Sequence, residues 1–208
     1  KLFPVKKNDN KLKVTYTNNP AWMMVEALPT IAHASTKDAI GLAAKYYANT
    51  LSAHLMQIAG HNDSLSVMNA YKEESLFALR QLQLADGSFA WWPGMRGSFY
   101  VTVAVTEMLQ RLNMMLGEQT STKKLLTNSM KFMAGEVSKH VEVLKHLEAK
   151  KYDNLLPSEA DMQYLYICAM RKEGLNHPDN KYLLGLVEKR PALFTIYGKA
   201  NLAVAYGM

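Results

Sequence analysis

The sequence is organised around Gln81-Leu-Gln-Leu-Ala-Asp-Gly-Ser-Phe-Ala-Trp-Trp-Pro-Gly94, a loop sequence that is followed closely by Ser98-Phe-Tyr-Val-Thr102. Asp86 and Gly87 favour a tight turn, because the Asp side chain bonds to nearby backbone and glycine accepts a positive φ. Ser98 can cap a helix that begins at the next residue. The segment therefore predicts a compact loop that leads directly into a helix.

The same loop carries two adjacent tryptophans, Trp91 and Trp92, before Pro93 and Gly94. Gly94 frees the backbone after the proline. The indoles can anchor the loop against helix ends, and a double Trp beside Pro-Gly more often fills the space between helices, so we expect this packing role. The open alternative is an exposed aromatic platform for a sugar or a peptide.

Helix start and stop signals recur on both sides of the loop. Ser, Thr and Asp residues favour helix N-termini, and Gly60, Gly117 and Gly174 supply left-handed stops. About seven helices are predicted, from Ser35 or Thr36 to about Ala59, about Ser64 to Gln83, Phe99 to Leu116, Thr120 or Ser121 to about Lys151, Ser158 to Gly174, Asn180 to Lys189, and Pro191 to Tyr206.

Two kinds of predicted helix alternate. Tyr100–Val105, Tyr164–Ala169 and Ala200–Ala205 are apolar on most sides, whereas Met130–Lys151 carries charge on a wide face. Inner helices covered by outer ones produce such an alternation, and a simple bundle would have more uniform helices. The pattern predicts an all-α fold built as an α/α toroid or solenoid, complete or partial.

A short strand is predicted near the start of the chain. Leu12–Thr17 alternates apolar and polar residues and stops at Asn18-Asn-Pro20. We interpret residues 1–18 as a strand and linker from a preceding β-domain, and residues 19–208 as the helical domain. The chain begins at Lys1 without a signal sequence, so we expect it to be a piece of a longer protein.

Composition excludes several classes of protein. The chain has 208 residues, of which 49% are hydrophobic, as in one ordered globular domain. Its 24 Lys and Arg give a net charge of +6, but they are spread along the chain without a nucleic-acid-binding module. No apolar run is long enough for a transmembrane segment. We therefore expect no nucleic-acid partner and no transmembrane segment in this chain.

Candidate reactive side chains are few. The single cysteine, Cys168, lies among aromatic and aliphatic residues, so we expect a buried packing residue and no internal disulfide. The six histidines include no pair at i,i+4 spacing, and we predict no metal site. Glu73 and Glu74 could resemble a glycosidase acid pair, but adjacent helical residues diverge by about 100°. A solvated face is the expected role of that pair.

The loop resembles one that precedes a helix of the α/α-toroid thioester domain in bacterial alpha-2-macroglobulins. The shared features are Gln81 or Gln83, Asp86-Gly-Ser followed by an aromatic residue, Trp91-Trp-Pro-Gly94 and a helix that begins aromatic-Val-Thr. This resemblance implies a toroid of the terpenoid cyclase and protein prenyltransferase type. Terpene cyclases share part of the pattern, but their Asp-x-Asp-Asp acid and the zinc ligands of prenyltransferases have no counterpart here.

The resemblance extends to Asn19-Pro-Ala-Trp-Met-Met-Val-Glu-Ala-Leu-Pro29, at the place of the family's thioester loop. Thioester-bearing members carry Cys-x-Glu-Gln there, and the resemblance sets Met24 at the cysteine, Glu26 at the glutamate and Ala27 at the glutamine. A thioether forms no acyl bond and alanine has no side-chain carbonyl. The expectation is a chain without catalytic residues or a cofactor.

Family resemblance also implies a cellular role. Members are large periplasmic or envelope-associated proteins that trap proteases, so we expect a non-enzymatic domain of an endopeptidase inhibitor that acts sterically. Its expected partners are neighbouring β-sandwich domains of the same polypeptide and proteases. The alternative is a carbohydrate- or peptide-binding module, or a glycosidase-like enzyme, that uses the loop at Trp91 and Trp92.

Overall fold

A computed structural model describes residues 28–58, 65–190 and 193–207 of the chain. Residues 28–32 are helical and precede the named elements. These are α1 (Ala39–Ile58), α2 (Leu65–Gln81), β1 (Phe89–Ala90), β2 (Gly97–Ser98), α3 (Phe99–Leu116), α4 (Lys123–Ala149), α5 (Glu159–Arg171), α6 (Pro178–Lys189) and α7 (Ile196–Gly207). The predicted all-α fold is confirmed.

The helices form two layers in which chain neighbours alternate. Helices α1, α3, α5 and α7 contact one another in that order, while α2 packs on α1, and α4 packs on α3 and on α6. Inner helices covered by outer ones are typical of α/α arrays. Closure of this array into a toroid stays a prediction.

Two clusters of buried side chains form the interior, and α3 contributes to both. Val101, Val105 and Leu109 belong to the cluster with α1, α2 and the start of α4. Val103 belongs to the second cluster, which contains α5 and α6. Helix α3 is therefore covered on two sides by apolar side chains, which fits its apolar sequence.

Burial separates the helix types as predicted, with one exception. Helix α5 is buried along Tyr164–Met170, while α4 buries only one stripe that includes Met133, Val137 and Val141. Helix α7, also predicted to be apolar on most sides, buries Asn201 and Leu202 but leaves Ala203 exposed. The difference follows from position, because α5 is the element against which α7 packs most extensively.

Capping side chains fix most helix starts. Ser158 and Asp161 form the predicted capping box of α5, and the Ser98 hydroxyl accepts a hydrogen bond from Val101 N at the start of α3. The predicted start of the last helix at Pro191 is wrong. The Thr195 hydroxyl accepts a hydrogen bond from Gly198 N at 3.1 Å, and the helix begins after it.

Several other boundaries differ from prediction for local reasons. Helix α1 begins after Asp38, whose side chain accepts a hydrogen bond from Gly41 N, and not after Ser35 or Thr36. Helix α5 ends at Arg171, because Lys172 follows it with a φ of 54°, before the predicted stop at Gly174. Helix α4 begins at Lys123, because Thr122 N donates to Gln119 O in a preceding turn. Helix α6 begins at Pro178, earlier than Asn180, since proline is favoured in a first helical turn. The predicted strand Leu12–Thr17 and the predicted stop at Gly60 lie outside the described residues. Among the described helices, none combines the length and the hydropathy that a membrane span requires.

Candidate functional site

The tryptophan loop, residues 82–98, begins with the predicted turn. Asp86 Oδ1 accepts hydrogen bonds from Ser88 N at 2.9 Å and Ser88 Oγ at 2.6 Å. Gly87 has a φ of 93° and donates its N–H to Leu84 O. The hydrogen bonds from Ser88 hold the pKa of Asp86 below its usual value. The predicted tight turn at Asp86 and Gly87 is confirmed.

The turn is packed tightly against α4. A Cβ atom on Gly87 would overlap Asn128 O, so only glycine fits this approach. The side-chain amide of Gln83 donates to Gly87 O, to Leu125 O at 3.0 Å and to Ser129 Oγ at 3.0 Å. Gln83 and Gly87 of the loop sequence therefore hold the loop against α4.

A two-stranded sheet then connects the loop to α3. Phe89 pairs with Ser98 and Ala90 pairs with Gly97 in an antiparallel arrangement. Phe89 is fully buried, and its N–H donates to Thr102 Oγ1 at 2.8 Å. The aromatic residue after Asp-Gly-Ser and the Thr in the first turn of the helix therefore bond to each other.

The two tryptophans lie at the surface of this rigid loop. Trp91 is 38% exposed and Trp92 is 45% exposed, so the prediction that both indoles fill the space between helices is wrong. Phe89 occupies the interior instead. Trp91 stacks on Tyr100 with 6.2 Å between ring centroids, and its carbonyl accepts a hydrogen bond from Ala39 N.

The backbone after the tryptophans turns as predicted. Gly94 has a φ of 81°, a region that glycine occupies without strain, and Met95 N donates to Trp92 O at 3.1 Å. The exposed indoles are therefore carried by a hydrogen-bonded turn. A loop backbone held in this way loses little conformational entropy when the loop contacts a partner.

A groove of about 510 Å³ lies beside the loop, between α1 and α2 and next to Pro93. Small-molecule sites typically have volumes of about 300–1,000 Å³. The surface that faces the groove is mainly apolar, although seven of the twelve lining residues are polar or charged. The lining comprises Ser35, Thr36, Lys37, Leu42, Lys45, Glu74, Ser75, Phe77, Ala78, Gln81, Leu82 and Pro93. The groove could not be predicted from the sequence, because its residues come from three separate segments.

A charged cluster that the sequence analysis also missed joins α3 to α5. The buried carboxylate of Glu107 lies 2.7 Å from Arg111 Nη2 and accepts a second hydrogen bond from Gln163 Nε2. The guanidinium of Arg111 lies over the ring of Tyr166, 5.2 Å from its centroid. Burial opposes the charge of Arg111, but the bond to Glu107 raises its pKa above the usual value.

This cluster has a structural role rather than an acid–base role. Both oxygens of the Glu107 carboxylate are occupied by donors from the protein, and its negative charge is balanced by Arg111. A Glu and an Arg spaced i,i+4 on an otherwise apolar helix were the available signal. That spacing predicts a local pair, but it gives no information on Gln163.

A Ser, a His and an Asp also meet, where α4 approaches the start of α5. His140 Nδ1 lies 2.8 Å from Asp161 Oδ1, and Ser158 Oγ donates to Asp161 Oδ2. A hydrolase triad requires the histidine between the serine and the carboxylate. Here the carboxylate lies in the middle, so the group caps α5 and ties it to α4.

Cys168 and the acidic pair have the predicted environments. Cys168 is fully buried, and burial raises the pKa of its thiol to about 11, which disfavours the nucleophilic thiolate. Glu73 and Glu74 are exposed on α2. Within the described ranges, no group of three or more His, Cys, Asp or Glu side chains is placed to hold a metal ion. Met24, Glu26 and Ala27 lie outside the described residues.

Comparison of the chain with models of known protein families gave no match, and comparison with curated proteins gave none either.

Proposed function

We propose that this chain is a non-catalytic domain of a large bacterial alpha-2-macroglobulin-like protein of the cell envelope. The observation that carries the proposal is the tryptophan loop, in which Gln83, Gly87 and Thr102 bond or pack as a rigid unit. These residues belong to the sequence pattern on which the resemblance rests. The alternation of inner and outer helices supports a complete or partial α/α toroid.

The proposed mechanism is steric. Met24 and Ala27 stand where a thioester would need a thiol and a carboxamide, so no acyl electrophile can form between them. Cys168 does not replace the missing thiol, because it is buried and its thiol pKa is raised. A protease would be enclosed by the whole inhibitor without a covalent bond, and β-sandwich domains of the same periplasmic or envelope polypeptide would adjoin this one.

The coding sequence on either side of this chain provides a first test. Tandem β-sandwich domains of about 100 residues each would support the proposal. A single open reading frame that encodes only this chain would contradict it.

Trapping can then be measured on the full polypeptide. A steric trap leaves an enclosed protease active on a short chromogenic peptide while a large protein substrate becomes protected. Denaturing gels should contain no high-mass adduct, and labelled methylamine should not be incorporated at Glu26 or its neighbours. Equal cleavage of both substrates would exclude trapping, and a methylamine label would exclude the inert thioester loop.

The exposure of Trp91 and Trp92 favours a second candidate function, a carbohydrate- or peptide-binding module. A glycosidase-like activity has less support, because Glu73 and Glu74 diverge on α2 and Glu107 is bonded to Arg111. Calorimetric titration of soluble oligosaccharides against the chain and a Trp92→Ala variant would test the module. Saturable binding that the substitution removes would establish it, and absence of heat at two temperatures would contradict binding of these oligosaccharides.

A further inference from the structure

The groove between α1 and α2 combines apolar surface with two lysines. Helix α1 and the residues before it contribute Lys37 and Lys45, while α2 contributes the apolar side chains of Phe77 and Ala78. Glu74 is the only carboxylate among the lining residues, so the charged groups sum to one positive charge. Leu42 of α1 adds apolar surface, and Ser75 and Gln81 of α2 add polar groups. Both helices therefore contribute apolar surface, while both lysines lie on the α1 side and Glu74 on the α2 side.

Neither Lys37 nor Lys45 forms an ion pair with any residue in the parts of the chain that the structure describes. Phe77 is 65% exposed at the groove, which leaves a large aromatic surface in contact with water. A ligand that covers this ring and also presents an anion to the lysines would complement both the apolar surface and the positive charge.

The geometry points to a binding site for an amphipathic carboxylate, an alkyl chain that ends in a single negative charge. The alkyl chain of the ligand would lie against Phe77, Ala78 and Leu82. Its carboxylate would face Lys37 and Lys45. Pro93 places one side of the site on the tryptophan loop. This inference does not depend on the macroglobulin resemblance, because only the groove and its charges carry it.

The length of the ligand's alkyl chain is the first experimental variable. Calorimetric titration of the 208-residue chain with octanoate, decanoate and dodecanoate, below their micelle concentrations, should give one site per chain. Each buried methylene should tighten binding by up to about fourfold. Stoichiometry well above one, or affinity that does not rise with chain length, would overturn the proposal.

Charge is the second variable. The double variant Lys37→Gln/Lys45→Gln should weaken dodecanoate by about tenfold and leave dodecanol unchanged. The matched control is Lys124→Gln/Lys131→Gln, which removes the same charge from the exposed face of α4 and should change neither affinity. Equal weakening in both double variants would mean general attraction to a basic protein and would refute a built site.

Groove volume is the third variable. Ala78→Trp places an indole where the alkyl chain would lie, so it should abolish binding of all three carboxylates. Circular dichroism identifies a variant that fails to fold, and Ala78→Leu then serves as a smaller obstruction that should weaken dodecanoate more than octanoate. Unchanged affinity in a folded Ala78 variant would overturn the proposal. Saturable binding of an acidic peptide, with no binding of octanoate, decanoate or dodecanoate, would also overturn it.

Discussion

Helices α3 and α7 are both apolar on most sides in the sequence, yet they have different environments in the molecule. Leu109 of α3 is 1% exposed between neighbouring helices, whereas Ile196 of α7 is 87% exposed. Both helices are rich in apolar residues, but α3 packs against more elements than α7 does. An apolar helix sequence therefore predicts membership of the inner layer, while burial also depends on what lies on each side.

Substitution of one large apolar residue in each helix gives the largest contrast. Leu109→Ala should lower the free energy of unfolding by about 2–5 kcal/mol, because it leaves a cavity in a packed cluster. Ile196→Ala should change it by less than about 0.5 kcal/mol, since the side chain is already in water. Urea denaturation of both variants measures this, and similar losses would mean that α7 is covered in solution.

The glycines of the tryptophan loop allow a second contrast. Gly87→Ala should cost about 2–4 kcal/mol, because the new Cβ meets Asn128 O and the backbone φ is positive. Gly94→Ala has a similar φ but nothing within 4 Å of the new Cβ, so about 1 kcal/mol is expected. Equal thermal shifts for the two variants would show that the contact with α4 is loose.

A third comparison concerns two glutamines that both bond to backbone. Gln83→Ala removes the bonds to Leu125 O and Ser129 Oγ at a part-buried position, and should cost about 1–3 kcal/mol. Gln119 donates to Gly117 O at an exposed position, so Gln119→Ala should cost under about 0.5 kcal/mol. Denaturant midpoints of the two variants distinguish a bond that fixes the loop from one that water replaces.

The smallest effect is expected from pH. The folded pKa of Asp86 lies below the unfolded value of 3.8, so its stabilising contribution is present above that value and is lost as pH falls below it. The difference in unfolding free energy between the wild type and Asp86→Asn should therefore shrink between pH 5 and pH 2. A difference that is constant with pH would mean that the Ser88 hydrogen bonds do not stabilise the carboxylate.

Much of the helical architecture could be predicted from residues that act locally. Ser98, Ser158 and Asp161 mark helix starts, and Gly87 and Gly94 mark turns, because each effect depends on residues only a few positions away. The start of the last helix could not be predicted from the sequence, because Pro191 is also an acceptable first-turn residue and no local signal favours the Thr195 cap.

The candidate site was less accessible to sequence analysis. Two adjacent tryptophans beside Pro-Gly more often fill the space between helices, but whether they do so here depends on whether Phe89 takes the interior position. The groove combines residues of α1, α2 and the loop, and Gln163 reaches Glu107 from a helix far along the chain. Such contacts depend on tertiary packing, for which one sequence without relatives gives no spacing rule.

Helix α3 supplies side chains to both buried clusters, and this position has a consequence for how the molecule opens. Amide protons in the middle of α3 can exchange with solvent only when both halves of the interior are disrupted together, so their protection reports global unfolding. Amide protons of α7 can exchange through a detachment that leaves the first half intact. Detachment of α7 would then disturb only the second cluster, whereas disruption of α3 would separate the two clusters from each other.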